Sequence, residues 1–191
     1  MNIPDIEEMR SFSETINILW REKRMEEAKV QLLEEVAKYP EDYWLWTSLS
    51  QTCSGLGEYK SALEYSEKAM GLCSDDVLVI YNHILALVNN TLYKESLPYC
   101  QIILRKPIKT IAREGEGMRW AKSIRNDTMF LKAVCLHKLG EYREALSVLQ
   151  KLTTLRHGGI YSDYSKKQIV NLRNKIKLHL IQTKLETDLI K

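Results

Sequence analysis

The chain reads as all-α, built of consecutive helix–turn–helix repeats. Three observations predict this. The tetrapeptide Leu-Gly-Glu-Tyr occurs twice, at 56–59 and 139–142. Apolar and small residues recur at spacings of three and four on both sides of each copy, as an amphipathic helix on either side of a turn requires. The pattern also returns when the register is shifted by 34 residues, and a fixed period of that size marks a repeat array.

The clearest repeat is 43–76. Trp46, Leu49 and Cys53 set its first helix, Gly57 sits at a turn where positive φ costs it nothing, and Ala62, Leu63, Ser66 and Ala69 set its second. Ser74-Asp75-Asp76 ends it and supplies cap chemistry for the next helix. One period earlier, 9–42 aligns Phe12, Leu19, Ala28, Leu32 and Pro40, with helices near Arg10–Arg21 and Arg24–Ala37. Glu26, Glu27, Glu34 and Glu35 are assigned to the outer face of the second of these. One period later, 77–110 aligns Ile80, Leu87, Tyr93, Ser96 and Ile103. Here Thr91 takes the glycine position, and Pro98 is expected near the start of the second helix. Residues 111–125 break the period. They hold Glu114-Gly115-Glu116-Gly117, read as a flexible loop, then a helix that starts early, near Met118. The fourth repeat, 126–159, carries Met129, Ala133, Leu136, Ala145, Leu149 and Leu152, and ends on Arg156-His157-Gly158-Gly159. A helix over 162–189, with Ile169, Leu172, Ile176 and Leu180 as its apolar stripe, is expected to cap the array, because terminal repeats need a cover for their last apolar face.

These residues resemble the tetratricopeptide repeat (TPR): a large residue and Leu in helix A, Gly before the turn, then Ala and a second Ala in helix B. Trp46, Leu49, Gly57, Tyr59, Ala62 and Ala69 match; Cys53, Ser66 and Ser74 depart from the usual Tyr, aromatic and Pro. The resemblance implies a right-handed α-solenoid forming a single domain over 1–191. It also implies that A-helix side chains line a concave groove. By that carry-over the groove residues are Asn17, Arg21, Trp44, Ser48, Gln51, Leu78, Tyr81, Asn82, Asp127 and Phe130. Trp44, Tyr81 and Phe130 stand where framework packing does not demand an aromatic. Chaperone-binding members use a two-carboxylate clamp. Its positions hold Ser13, Asn17, Ser48, Leu78 and Asn82 here, of which only Asn17 fits. Without the cations a C-terminal carboxylate loses its charge-assisted bonds, so that activity is not expected.

Charge is unevenly distributed. Residues 1–76 carry 8 Lys and Arg against 16 Asp and Glu, a net of −8; residues 77–191 carry 20 against 9, a net of +11. Such a dipolar chain can steer a charged partner or associate head to tail. Residues 105–125 are basic, and Arg113, Arg119, Trp120 and Lys122 form a candidate basic insertion beside the groove. The four Cys, at 53, 73, 100 and 135, lie within helical patterns without CxxC spacing and read as buried apolar residues of a reducing compartment.

No phosphate loop, nucleophile elbow or HExxH motif occurs, and the four His are scattered at 83, 137, 157 and 179. His157 is the most exposed candidate among them. The expectation is therefore a non-enzymatic, cytoplasmic protein-interaction module with no cofactor or metal. It would take a protein or peptide partner, not a small-molecule substrate or a membrane, as a monomer or weak homodimer. Neutralising a bacterial toxin as an immunity protein would be one case of this binding mode. A nucleic-acid binder using the basic half and a self-assembling structural subunit are the alternatives. The acidic first half weighs against the former.

Overall fold

A computed structural model describes residues 6–155 and 162–189, with side chains described to 183. The described residues form ten helices and no strand. These are α1 (Ile6–Arg21), α2 (Met25–Lys38), α3 (Tyr43–Leu56), α4 (Tyr59–Leu72), α5 (Val77–Asn89), α6 (Tyr93–Arg105), α7 (Ile108–Glu114), α8 (Met118–Lys138), α9 (Tyr142–Leu155) and α10 (Lys166–Leu189). The chain divides into two compact units, Met1–Asn90 and Thr91–Lys191. The division falls inside the third 34-residue period, between its two helices. Residues 77–90 carry no Lys, Arg, Asp or Glu, so the units hold the same −8 and +11 that the sequence halves hold.

The turn of every repeat is left-handed at one recurring position: Lys23 at φ 61°, Gly57 at 79°, Thr91 at 63° and Gly140 at 83°. The first three are one period apart. At Gly57 and Gly140 the helix closes with the backbone N–H of the next residue reaching back over five residues, Glu58 to Cys53 O at 2.9 Å and Glu141 to Leu136 O at 2.8 Å. Arg24 N reaches Leu19 O at 2.9 Å in the same way, although Lys23 replaces glycine. Geometry is thus kept where the glycine is not. N-caps repeat too. Asp42 Oδ1 accepts from Trp44 N at 2.7 Å, and Asp76 Oδ1 accepts from Leu78 N at 2.8 Å.

In the first unit α3 packs against α2, α4 and α5. Its core holds Ile16, Leu19, Ala28, Leu32, Leu45 and Leu49, all under 5% exposed. Ala62 and Ala69 are buried to 0% and 1%, and Ser50 Oγ donates to Ala62 O at 2.8 Å, a contact that a larger side chain would prevent. Lys29 Nζ on α2 donates to both Glu58 carboxylate oxygens at 2.6 Å, tying the first repeat to the turn of the second.

In the second unit α8 is the central element. It packs against α6 and α7, and against α9 and α10. Leu136, Ala145, Leu149, Leu152, Ile169 and Ile176 share one core, so α10 does bury an apolar stripe on the preceding repeat. Ser165 opens α10 with a reciprocal cap: its Oγ accepts from Gln168 N at 3.2 Å, and Gln168 Oε1 accepts from Ser165 N at 2.8 Å.

Several expectations are corrected. The last helix begins at Lys166 instead of Ser162, because Ser162 and Asp163 are held by Asp127. The first helix begins at Ile6, ahead of the expected Arg10. Residues 108–114 form a short helix of their own that takes up Glu114, so the expected loop at 114–117 is the turn at 115–117, where Gly117 N donates to Ala112 O at 3.1 Å. Helix α8 does start at Met118. Pro98 lies inside α6, where its ring removes one i−4 backbone bond. Glu35 is 7% exposed, not on the outer face, and Lys38 Nζ donates to it at 2.8 Å. Cys53, Cys100 and Cys135 are buried, but Cys73 is only half-buried. Burial pushes the Cys53 thiol up to about 11 and the Cys100 thiol up to about 12, so neither is a ready nucleophile. The stop at Arg156–Gly159, with His157, lies outside the described residues.

Candidate functional site

The predicted groove residues of the first unit lie on α1, α3 and α5, and these helices are joined along one face. Trp20 Nε1 donates to Thr52 Oγ1 at 2.9 Å, and Thr52 Oγ1 donates to Ser48 O at 2.7 Å, linking α1 to α3. Phe12 meets Trp44 edge-on, with centroids 6.4 Å apart. Helix α5 packs beside α3.

Asn17, Arg21 and Gln51 are exposed, and Trp44 and Leu78 are half-buried. Arg21 Nε donates to Asn17 O at 3.3 Å, which positions the guanidinium on its own helix. Ser48 and Thr52 are buried to 3% and 0%, and neither fills the space a leucine would. The site therefore combines amide donors and acceptors, one cation, and an indole and an isobutyl group that keep part of their surface in water.

Five of the predicted residues do not offer themselves to a partner. Tyr81 is 7% exposed, Asn82 4% and Ser48 3%. Asn82 Nδ2 donates to Leu78 O at 2.9 Å within α5. Phe130 is 8% exposed and stacks on Tyr164 with centroids 4.1 Å apart, so its aromatic character does serve the framework. Asp127 is 1% exposed and is consumed internally, accepting from Ser162 Oγ, from Asp163 N at 3.1 Å and from Ser123 Oγ at 3.3 Å. Burial raises its pKa, against the lowering effect of those donors. Both Phe130 and Asp127 are taken up by the segment that leads into α10. The heptad-scale pattern of their own helix gives no sign of that segment.

In the second unit Arg113, Arg119 and Lys122 are exposed, whereas Trp120 lies flat against Gly115. Trp120 is thus a packing residue of the α7–α8 turn. Arg125 donates to Lys106 O, and Lys106 Nζ pairs with Glu114 at 2.7 Å, so part of the basic segment braces the insertion. Sequence reasoning missed two further contacts. His83 Nδ1 lies 2.9 Å from Ser66 Oγ, and His137 Nε2 lies 2.9 Å from His179 Nδ1. His137 and His179 are far apart in sequence but paired in space. Among the described residues no group of three or more His, Cys, Asp or Glu is placed to hold a metal ion, and no helix is long and apolar enough to cross a membrane.

The tetratricopeptide-repeat profile matches residues 45–76 and 127–156. The chain carries tetratricopeptide repeats. The two matched TPR segments are those with Leu-Gly-Glu-Tyr. The first and third periods, with Lys23 and Thr91 at the turn, fall outside the match yet share its left-handed backbone. Solved TPR structures are similar over nearly the whole chain. A double mutant of MamA superposes with a TM-score of 0.62 at 16% identity, covering 94% of each chain. MamA from Desulfovibrio magneticus RS-1, residue 41 to its end, gives 0.62 at 15% identity over 94% of this chain and 95% of that one. YrrB, described as a TPR protein with an unusual peptide-binding site, gives 0.56 at 16% identity over 91% and 90%. At these identities the likeness establishes the fold, all-α of TPR type. No curated protein matches the sequence.

Proposed function

We propose that this TPR chain is a non-enzymatic protein-interaction module that takes a peptide segment of a protein partner on the α1–α3–α5 face of its first unit. The observation that carries the reading is the composition of that face. Half-exposed Trp44 and Leu78 flank a floor of small hydroxyl residues, and exposed Asn17, Arg21 and Gln51 stand at its rim. Interface hot spots favour Trp and Arg around a pocket. Side-chain amides can pair with the backbone of an extended segment, since each offers both donors and an acceptor. The unit carries a net charge of −8, which favours a neutral or basic segment over an acidic one. Similarity to YrrB, whose description includes peptide binding, points the same way. Toxin neutralisation would be one use of such a face.

The test is selection of a displayed random-peptide library on the full chain, followed by calorimetry of the enriched peptides. Trp44→Ala and Leu78→Ala together are expected to weaken binding at least about tenfold, the loss of one modest hot spot. Arg119→Ala in the second unit is expected to leave affinity unchanged. Enriched peptides that bind the Trp44→Ala/Leu78→Ala variant as tightly as the parent, with helicity intact, would place recognition elsewhere. Tyr81 is unsuited to this test, because truncating a buried Tyr opens a cavity and lowers stability by several kcal/mol, roughly 3–5 on the scale of Phe→Ala.

A further inference from the structure

Two helices of this chain bury one apolar stripe and leave a second one open, and the open stripes carry opposite charge. On α10, Ile169 and Ile176 are buried in the core of the second unit. The opposite side presents Val170, Leu178 and Ile181, at 40%, 61% and 56% exposure, flanked by exposed Lys166, Lys167 and Lys177. At 100° per residue, Val170, Leu178 and Ile181 fall within one quadrant of the helix. On α2, Ala28, Leu32 and Val36 are buried in the core of the first unit. Its other side presents Val30 at 56% and Leu33 at 39%, flanked by exposed Glu26, Glu27 and Glu34. Isolated surface apolar residues need no explanation. Here, however, they align along a helix. Glu26 and Glu34 border the α2 row, Glu27 being paired with Arg24 at 2.6 Å, and lysines border the α10 row. The borders belong to units of net −8 and net +11.

We propose that the open stripe of α10 docks on the open stripe of α2 in a second copy of this chain. The contact is heterologous, α10 of one copy on α2 of the next, so each copy keeps one free stripe by which it can recruit another. Apolar burial supplies the attraction. The glutamate and lysine borders select the head-to-tail pairing, because α10 against α10 would set lysines against lysines. This surface is separate from the α1–α3–α5 face and does not depend on the peptide-binding reading.

The decisive experiment uses the full chain and two variants, Val30→Arg/Leu33→Arg and Leu178→Arg/Ile181→Arg, whose helicity and melting are first matched to the parent. All four positions are exposed, so folding should be kept. Mass is measured by sedimentation across protein concentration at low and high salt. The parent is expected to show a mass that rises with concentration at low salt and falls as salt screens the borders. Each variant alone is expected to remain monomeric. Their equimolar mixture is expected to form a discrete dimer of twice the monomer mass, because each variant retains the end the other lacks. A parent that stays monomeric at high concentration and low salt overturns the proposal. So does association that survives in either variant, which would mean a like-to-like contact, or a mixture that stays monomeric. A monomeric parent whose α10 variant alone loses binding to anionic phosphatidylserine vesicles would also overturn it, assigning the basic stripe to a lipid surface.

Discussion

Gly115 tests how the insertion is built. It ends α7 at φ −124°, outside the left-handed region, so its requirement for glycine is argued from steric contact. A Cβ there would lie 2.1 Å from Cζ3, 2.5 Å from Cε3 and 2.7 Å from Cη2 of Trp120. Carbon atoms in contact sit about 3.5–4.0 Å apart, so the ring or the turn must move by more than an ångström. The turn is pinned, with Gly115 N donating to Ile111 O and Gly117 N to Ala112 O, both at 3.1 Å. The indole therefore yields. Half of a Trp side chain is on the order of 100 Å² of apolar surface, which at roughly 25 cal/mol per Å² is about 2.5 kcal/mol. Overpacking elsewhere costs roughly 1–3 kcal/mol, in agreement. Gly115→Ala is thus expected to lower stability by about 1–3 kcal/mol in urea denaturation followed by far-UV circular dichroism. The cycle with Trp120→Ala carries the argument. If the clash is the cause, the double variant is no less stable than Trp120→Ala alone, and the coupling equals most of the Gly115→Ala loss. Additive losses would refute the steric account. Gly57→Ala is the contrast: nothing lies within 4 Å of its Cβ, and its φ of 79° alone sets a cost of about 1 kcal/mol, indifferent to any neighbour.

Thr91 holds φ 63° where two sister repeats use glycine, and a β-branched residue is strained there. Thr91→Gly is expected to raise stability by about 1 kcal/mol, net of the entropy glycine adds to the unfolded chain, read as a higher denaturation midpoint. Asp127→Ala is expected to lower stability by about 1–3 kcal/mol by stranding Asp163 N–H and the Ser162 hydroxyl, whereas Asp127→Asn keeps an acceptor and loses less. Neither change should alter peptide affinity at the first unit, which calorimetry of the enriched peptides would check. Burial holds the His83 and His137 pKa values below the ordinary imidazole value, and His179, Lys175 and Lys138 lower His137 further. The unfolded chain therefore binds these protons more readily, so the stability they contribute is present above about pH 6.5 and is lost as pH falls below it. Midpoints measured from neutral pH down to about 5.5 should decline, and His83→Gln/His137→Gln should flatten the decline.

The period and its helices were legible because their causes are local. Apolar spacing of three and four places Leu49, Cys53, Ala62 and Ala69 in a core whatever the neighbours are, and Leu-Gly-Glu-Tyr dictates a left-handed turn by backbone sterics alone. The charge division was equally legible, because charge is a sum over sequence. The exposure of the candidate groove residues was half legible. Asn17, Arg21, Gln51, Trp44 and Leu78 remain available because only helical phase sets their direction. Asp127, Phe130 and Tyr81 were assigned by the same phase, yet they are buried. Ser162 and Tyr164, more than thirty residues away, claim Asp127 and Phe130. A side chain's exposure depends on what packs over it, and helical phase carries no information about that. Trp120 against Gly115, His137 against His179, and the separate short helix α7 were settled at the same level. Each depends on distances between segments that only the folded chain brings together. The alternating repeat was therefore fixed by local chemistry, and tertiary packing decided which of its side chains a partner can reach.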